Sequence, residues 1–207
     1  MTVARLTDVV VTRDAFPVLA GLSWTIEHPG TYVVRGGNGS GKTSLLRVLA
    51  GLDAIAAGEA EVLGHRLTAT GRRDVRRRAG WLGHDAPFHD ALTVAENLDF
   101  ASTVTRVPRE RMADALEQVE LGARSDTLAS RLSAGQRRRL GIAWLIMRRP
   151  ELWLLDEPHA ALDEGGRQLV DDVVGRAVAG GATVVLTTHH DVSLSRIDGE
   201  LIVRGGR

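Results

Sequence analysis

The run Gly36-Gly37-Asn38-Gly39-Ser40-Gly41-Lys42-Thr43 fits the pattern G-x-x-x-x-G-K-[ST]. That spacing has a specific chemistry. Glycines let successive backbone N–H groups converge on phosphate oxygens, and the N-terminus of a following helix adds partial positive charge. The lysine reaches β- and γ-phosphates, and the threonine hydroxyl ligates Mg²⁺. An apolar strand before the run and a helix after it argue against a plain glycine-rich turn. Composition singles out the same lysine. Of 26 basic residues, 25 are arginine and Lys42 is the one lysine. A bias that strong fits codon usage, so the position that escapes it is one that needs a compact ammonium rather than a planar fork.

Two further segments carry chemistry. Leu152-Trp153-Leu154-Leu155-Asp156-Glu157 reads as a buried strand ending in adjacent carboxylates. In a doubly wound sheet the carboxyl ends of the strands form the ligand crevice. Asp156 there is expected to hold Mg²⁺ through water, and Glu157 to serve as base or water-orienting group near the γ-phosphate. Leu132-Ser133-Ala134-Gly135-Gln136 precedes a helix with Ser133 at the cap, a second helix terminus suited to an anion in a chain that already has one phosphate loop. Alone, it reads as a plain capping serine.

The elements that must position these residues follow an α/β pattern. Short apolar strands are predicted at Leu6–Val11, Trp24–Glu27, Thr31–Arg35, Ala60–Leu63, Trp81–Gly83, Leu152–Leu155, Thr183–Thr187 and Leu201–Val203. Alternation with helices points to a mostly parallel sheet covered on both faces. A helix is predicted over Lys42–Ala50, closed by Gly51. From about Thr93 to Arg149 only helix signals occur: the capping box Thr93-Val94-Ala95-Glu96, Pro108 opening a second helix, and Ser133 capping a third that ends at Pro150. A last helix runs from about Glu164 to Ala179. The whole reads as one domain over 1–207 with a helical insertion at about 84–150.

Composition narrows the class. The 207 residues carry 26 basic and 26 acidic side chains, no cysteine and 43% apolar content. One α/β core is affordable at this length. Zero net charge argues against a global nucleic-acid binder, and the lack of cysteine rules out disulfides, thiol zinc sites and a thiol nucleophile. The apolar run Gly141–Met147 is too short for a membrane span, and MTVARLTDVV lacks the apolar stretch of a signal peptide. The cluster Arg72, Arg73, Arg76, Arg77, Arg78 has no interleaved aromatics and is expected to be a solvated helix face.

Taken in order, the phosphate loop at 36–43, L-S-A-G-Q at 132–136, LLDE at 154–157, Ala161-Leu162-Asp163 and Thr187-Thr188-His189 resemble the nucleotide-binding subunit of ATP-binding cassette (ABC) transporters across essentially the whole chain. The resemblance implies an ABC-type P-loop ATPase cassette: a mostly parallel core, an antiparallel strand region and a helical insertion. It implies ATP and Mg²⁺ as ligands and a head-to-tail dimer in which Ser133, Ala134, Gly135 and Gln136 face the partner's ATP. Asp163 matches the subunit-communication loop, and His189 the switch histidine that helps Glu157 hold the attacking water. His190, His159, His65, His28 and His89 are read as structural.

Two positions depart from the family. The usual adenine-stacking aromatic is replaced at its place by Arg13, with Phe16 three residues on, and either side chain can stack. The glutamine of the sensor loop is replaced by His84, which should act by hydrogen bonding because Mg²⁺ prefers hard oxygen ligands. Within the family, Trp81-Leu82-Gly83-His84, Leu92-Thr93-Val94-Ala95-Glu96-Asn97-Leu98 and L-S-A-G-Q followed by Arg137-Arg138-Arg139 resemble the ATPase subunits of cytochrome c maturation exporters, linked to haem export. That resemblance implies integral membrane partner subunits, a peripheral location on the cytoplasmic face of the membrane and no nucleic acid. The alternatives are the ATPase of another exporter, a soluble ABC-type ATPase acting on nucleic acid, and a nucleotide-dependent module without turnover.

Overall fold

A computed structural model describes residues 2–14, 16–84, 88–188, 194 and 196–204. The chain opens with β1 (Ala4–Arg13) and β2 (Phe16–Ile26), then β3 (Thr31–Arg35), α1 (Lys42–Leu49), β4 (Ala57–Val62), β5 (His65–Arg66), α2 (Ala69–Arg78) and β6 (Ala79–Leu82). It continues through α3 (Val94–Thr105), a 3-10 turn at Arg109–Arg111 leading into α4 (Met112–Gln118), two more 3-10 turns at Gly122–Arg124 and Ala129–Arg131, and α5 (Ala134–Arg148). It closes with β7 (Leu152–Asp156), α6 (Glu164–Ala179), β8 (Thr183–Thr187) and β9 (Gly199–Ile202).

Two sheets result. One is antiparallel in the order β2-β1-β4-β5; the other is parallel in the order β6-β7-β8-β3-β9. The inner parallel strands β7 and β8 are buried on both faces, as a sheet covered twice requires. Leu152 and Leu154 of β7 pack into one core with α1 and the antiparallel sheet. Trp153 and Leu155, pointing the other way with the period of two, pack into a second core with α3, α4, α5 and α6. The chain leaves the parallel sheet after β6 and returns to it at β7, its neighbour in the sheet, with α3, α4 and α5 between. Gly141–Met147 lies in α5, and five of its seven residues are buried. Among the described residues no helix is long and apolar enough to cross a membrane.

The elements differ from expectation where long-range pairing sets the outcome. The predicted Trp24–Glu27 is the tail of an eleven-residue strand, β2, that pairs with β1 from Ala4↔Ile26 to Arg13↔Phe16. Pro108 caps a 3-10 turn rather than opening an α-helix directly. The arginine cluster also behaves differently from a solvated face. Arg76 donates to the Gly51 carbonyl at 2.7 Å, and Arg78 donates to the Leu63 carbonyl at 2.8 Å while forking onto Glu151 at 2.6 and 2.7 Å. Arg148 of α5 donates to the carbonyls of Ala79, Arg76 and Arg77, groups at the end of α2 that its own hydrogen bonds leave open. Arg73, Arg76 and Arg77 are exposed. Arg76, Arg78 and Arg148 tie α2 to the chain packed around it.

Candidate functional site

The phosphate loop joins β3 to α1, and its shape is dictated locally. Gly41, the residue before α1, has φ of 101°, and a Cβ there would lie 2.5 Å from the Val18 carbonyl oxygen. Only glycine fits both the left-handed backbone and that approach. α1 has no side-chain cap, so its first N–H groups face out of the helix end as anion donors. Lys42 is buried, and its ammonium donates to the Gly36 and Gly37 carbonyls at 2.9 and 3.0 Å. The buried Ser40 hydroxyl has no hydrogen-bond partner among the described residues. A cavity of about 410 Å³ runs over this loop, lined by Arg13, Val18, Asn38 to Ser44 and Glu157.

The carboxylates at the end of β7 meet the loop directly. Thr43 Oγ1 donates to Asp156 Oδ2 at 2.7 Å, and Thr187 Oγ1, at the end of the neighbouring strand β8, donates to Asp156 Oδ1 at 2.7 Å. The same Thr187 oxygen accepts the Glu157 N–H at 2.9 Å. Glu157 has a left-handed backbone, φ 49°, which costs a non-glycine residue about 1 kcal/mol and is held only where surroundings over-determine it. Thr187, expected only to end a strand, couples both carboxylate residues through its hydroxyl.

The second anion-ready helix terminus is built as its spacing suggests. Ser133 caps α5, its hydroxyl accepting the Gln136 N–H at 3.2 Å while Gln136 Oε1 accepts the Ser133 N–H at 3.0 Å. Ser133 and Ala134 are exposed, and none of Ser133 to Gln136 lines the cavity over Lys42. Gly135 abuts the loop after Glu157: a Cβ on it would stand 2.9 Å from the Ala161 carbonyl oxygen. Asp163 caps α6 by accepting the Gly166 N–H at 2.8 Å, and Arg139 of α5 lies 3.9 Å from it while bonding Glu120 at 2.5 Å.

The remaining candidates separate. Arg13 lines the cavity and shares Asp53 with Arg47: Arg13 donates at 3.3 Å, and Arg47 forks onto both carboxylate oxygens at 2.9 and 2.7 Å. Those hydrogen bonds from Arg47, opposed by burial and aided by the charges of Arg47 and Arg13, hold the Asp53 carboxyl below its usual range. Phe16 is 74% exposed and does not line the cavity. His84 is exposed, just beyond β6. His159 is buried against Asp171, Nε2 to Oδ1 2.8 Å. His189 lies outside the described residues, as does His190.

Sequence reading passed over one functional-site neighbour, Arg138, whose position inside an arginine run hides it. It is buried in α5 and donates to backbone carbonyls of Gly83, Asp156 and Glu157. A charged residue on the buried side of a helix is the one signal that would have marked it.

Comparison with known proteins agrees with this geometry. The family model described as ABC transporter matches residues 19–160. The cytochrome c biogenesis ATP-binding export protein CcmA of Roseobacter denitrificans is 37% identical over 94% of this chain and 87% of its own length. Its counterpart of the same name in Nitrosospira multiformis is 38% identical over 91% and 92%. Among solved structures, the ATP-binding cassette MJ0796, a dimer in a post-hydrolysis state bound to ADP and phosphate, superposes with a TM-score of 0.80 over 90% of this chain and 88% of that one, at 22% identity. With a phosphate loop, paired strand-end carboxylates and a capped signature helix in one fold, the chain belongs to the ABC transporter family as an ATP-binding subunit that hydrolyses ATP.

Proposed function

We propose that this cassette powers an exporter serving cytochrome c biogenesis, with haem-type cargo as the resemblance implies, and that it works as a dimer docked on integral membrane subunits at the cytoplasmic face. Residues 1–207 act as one ATPase domain with a helical subdomain at about 84–150. The names of the relatives at 37–38% identity support the export role. The observation that carries the chemistry is the hydrogen-bonded series Thr43–Asp156–Thr187–Glu157, which ties the phosphate loop to the Asp156 carboxylate and the Glu157 backbone, with Glu157 lining the cavity over the loop.

The residues suit the ligands. The unpartnered Ser40 hydroxyl and the open N-terminus of α1 fit phosphate oxygens. Thr43 Oγ1 and Asp156 are hard oxygen donors, and a Mg²⁺ site of this kind is completed by nucleotide phosphates and water. When bound, Mg²⁺ neutralises phosphate charge and orients the γ-phosphoryl group. Lys42 stabilises charge between the β- and γ-phosphates. Glu157 accepts a proton from water as its oxygen bonds the γ-phosphorus and the bridging P–O bond breaks, giving ADP and phosphate. Arg13 rather than Phe16 faces the nucleobase, because it alone of the two lines the cavity. His84 senses nucleotide by hydrogen bonding, His189 assists Glu157, and Ser133 to Gln136 with Asp163 act across the dimer.

The test is Glu157→Gln. It should keep Mg-ATP binding, abolish turnover and trap an ATP-dependent dimer on size-exclusion chromatography. A variant that binds ATP yet stays monomeric, with and without its membrane subunits, overturns the sandwich. Membrane subunits that co-purify with the chain then decide the exporter class.

A further inference from the structure

The signature helix carries one buried cation. Arg138 sits in α5, two residues beyond Gln136, and is 6% exposed. A guanidinium removed from water must have its donors matched. Arg138 achieves this with backbone oxygens. One terminal nitrogen donates to the Gly83 carbonyl, and the other donates to the carbonyls of Asp156 at 2.7 Å and Glu157 at 2.6 Å. Burial is the main influence on the guanidinium and draws its pKa down, while the charges of Asp156 and Glu157 oppose that shift.

The three carbonyls belong to two functional segments. Gly83 immediately precedes His84; Asp156 ends β7; Glu157 is the residue read as the base. The Glu157 backbone is left-handed, and both its polar groups are held, the N–H by Thr187 Oγ1 and the carbonyl by Arg138. Whatever moves the start of α5 therefore moves the support under Glu157. A planar fork is needed because one point charge cannot meet oxygens on both sides of it.

We propose that Arg138 is a positioning residue for hydrolysis: it fastens the signature helix to the Glu157 and Gly83 backbone, so that seating of Ser133–Gln136 on the partner's nucleotide sets the hydrolytic carboxylate and the His84 loop of the same subunit. This rests on the sandwich reading above.

The experiment compares Arg138→Lys and Arg138→Met in the full chain, with Mg-ATP as the probe. The expected result for Arg138→Lys is a melting temperature near wild type, KM for ATP within about threefold, and kcat lower by more than tenfold, about 1.4 kcal/mol of barrier. The double variant Arg138→Lys, Glu157→Gln should still trap an ATP-dependent dimer, because binding and the signature surface remain intact. A kcat within tenfold of wild type overturns the proposal. So does a parallel loss of KM and kcat, a double variant that stays monomeric where Glu157→Gln alone dimerises, or failure of both variants to fold, each of which marks a merely structural arginine. Failure of the underlying reading is seen separately, in a wild-type chain without turnover or a Glu157→Gln chain that never dimerises.

Discussion

Thr43 and Asp156, 113 residues apart in the chain, share a hydrogen bond of 2.7 Å. One stands in the first turn of α1 and the other at the end of β7. Their contact joins the candidate phosphate loop to a strand that presents carboxylates, and Thr187 extends it on the other side of the same carboxylate at 2.7 Å.

Thr187 is fully buried and serves two partners, so replacing it isolates the value of its hydroxyl. Thr187→Val keeps shape but leaves the Glu157 N–H and one Asp156 oxygen unmatched, at a cost of about 2 kcal/mol in stability. Turnover should fall by about tenfold or more, while Thr187→Ser restores it. Denaturant unfolding and steady-state ATPase rates check both arms; equal rates for the valine variant and wild type would remove Thr187 from the site.

Lys42 is the single lysine among 26 basic residues, and its ammonium fits between two loop carbonyls at 2.9 and 3.0 Å. Lys42→Arg keeps the charge but needs room for a planar fork in a buried position. ATPase activity should drop below about a tenth of wild type, on the order of 1.4 kcal/mol of barrier. Retention of more than that shows that the lysine is incidental.

Asp53 ties Arg13 to Arg47, and its carboxyl is held below its usual range chiefly by the Arg47 hydrogen bonds. A carboxyl with a lowered folded pKa contributes stability that is present above the unfolded value of about 3.9 and is lost as pH falls through the folded value. Asp53→Asn should therefore cost about 1 kcal/mol at pH near 7, discounted for the partly exposed arginines. The gap between variant and wild type should close in acid, as pH falls through the lowered folded value. Unfolding free energies at the two pH values give the answer, and a gap that persists in acid contradicts the ion-pair account. ATP affinity should weaken severalfold in the same variant, since Arg13 loses its tether.

What the residues alone determined is what short-range hydrogen bonding and periodicity control. The phosphate loop is contiguous, and its glycines, lysine and helix start lie within a few residues, so type and spacing suffice to read it. The cap at Ser133 is likewise an i, i+3 arrangement, closed by Gln136. The buried strands announce themselves because a sheet covered on both faces needs unbroken apolar runs. Other features required the tertiary structure. Arg13 and Phe16 are both near the right place in sequence and face each other across β1 and β2, yet Arg13 lines the cavity and Phe16, 74% exposed, does not. The arginines of α2 look like a solvated face until the carbonyls of Gly51 and Leu63 are brought to them. Arg138 sits between two other arginines and differs from them only in facing carbonyls that lie 55, 18 and 19 residues away along the chain. A side chain's donors are written in its type, whereas its acceptors here are backbone oxygens that every residue carries, so only the packing of α5 against the ends of β6 and β7 decides which ones it meets.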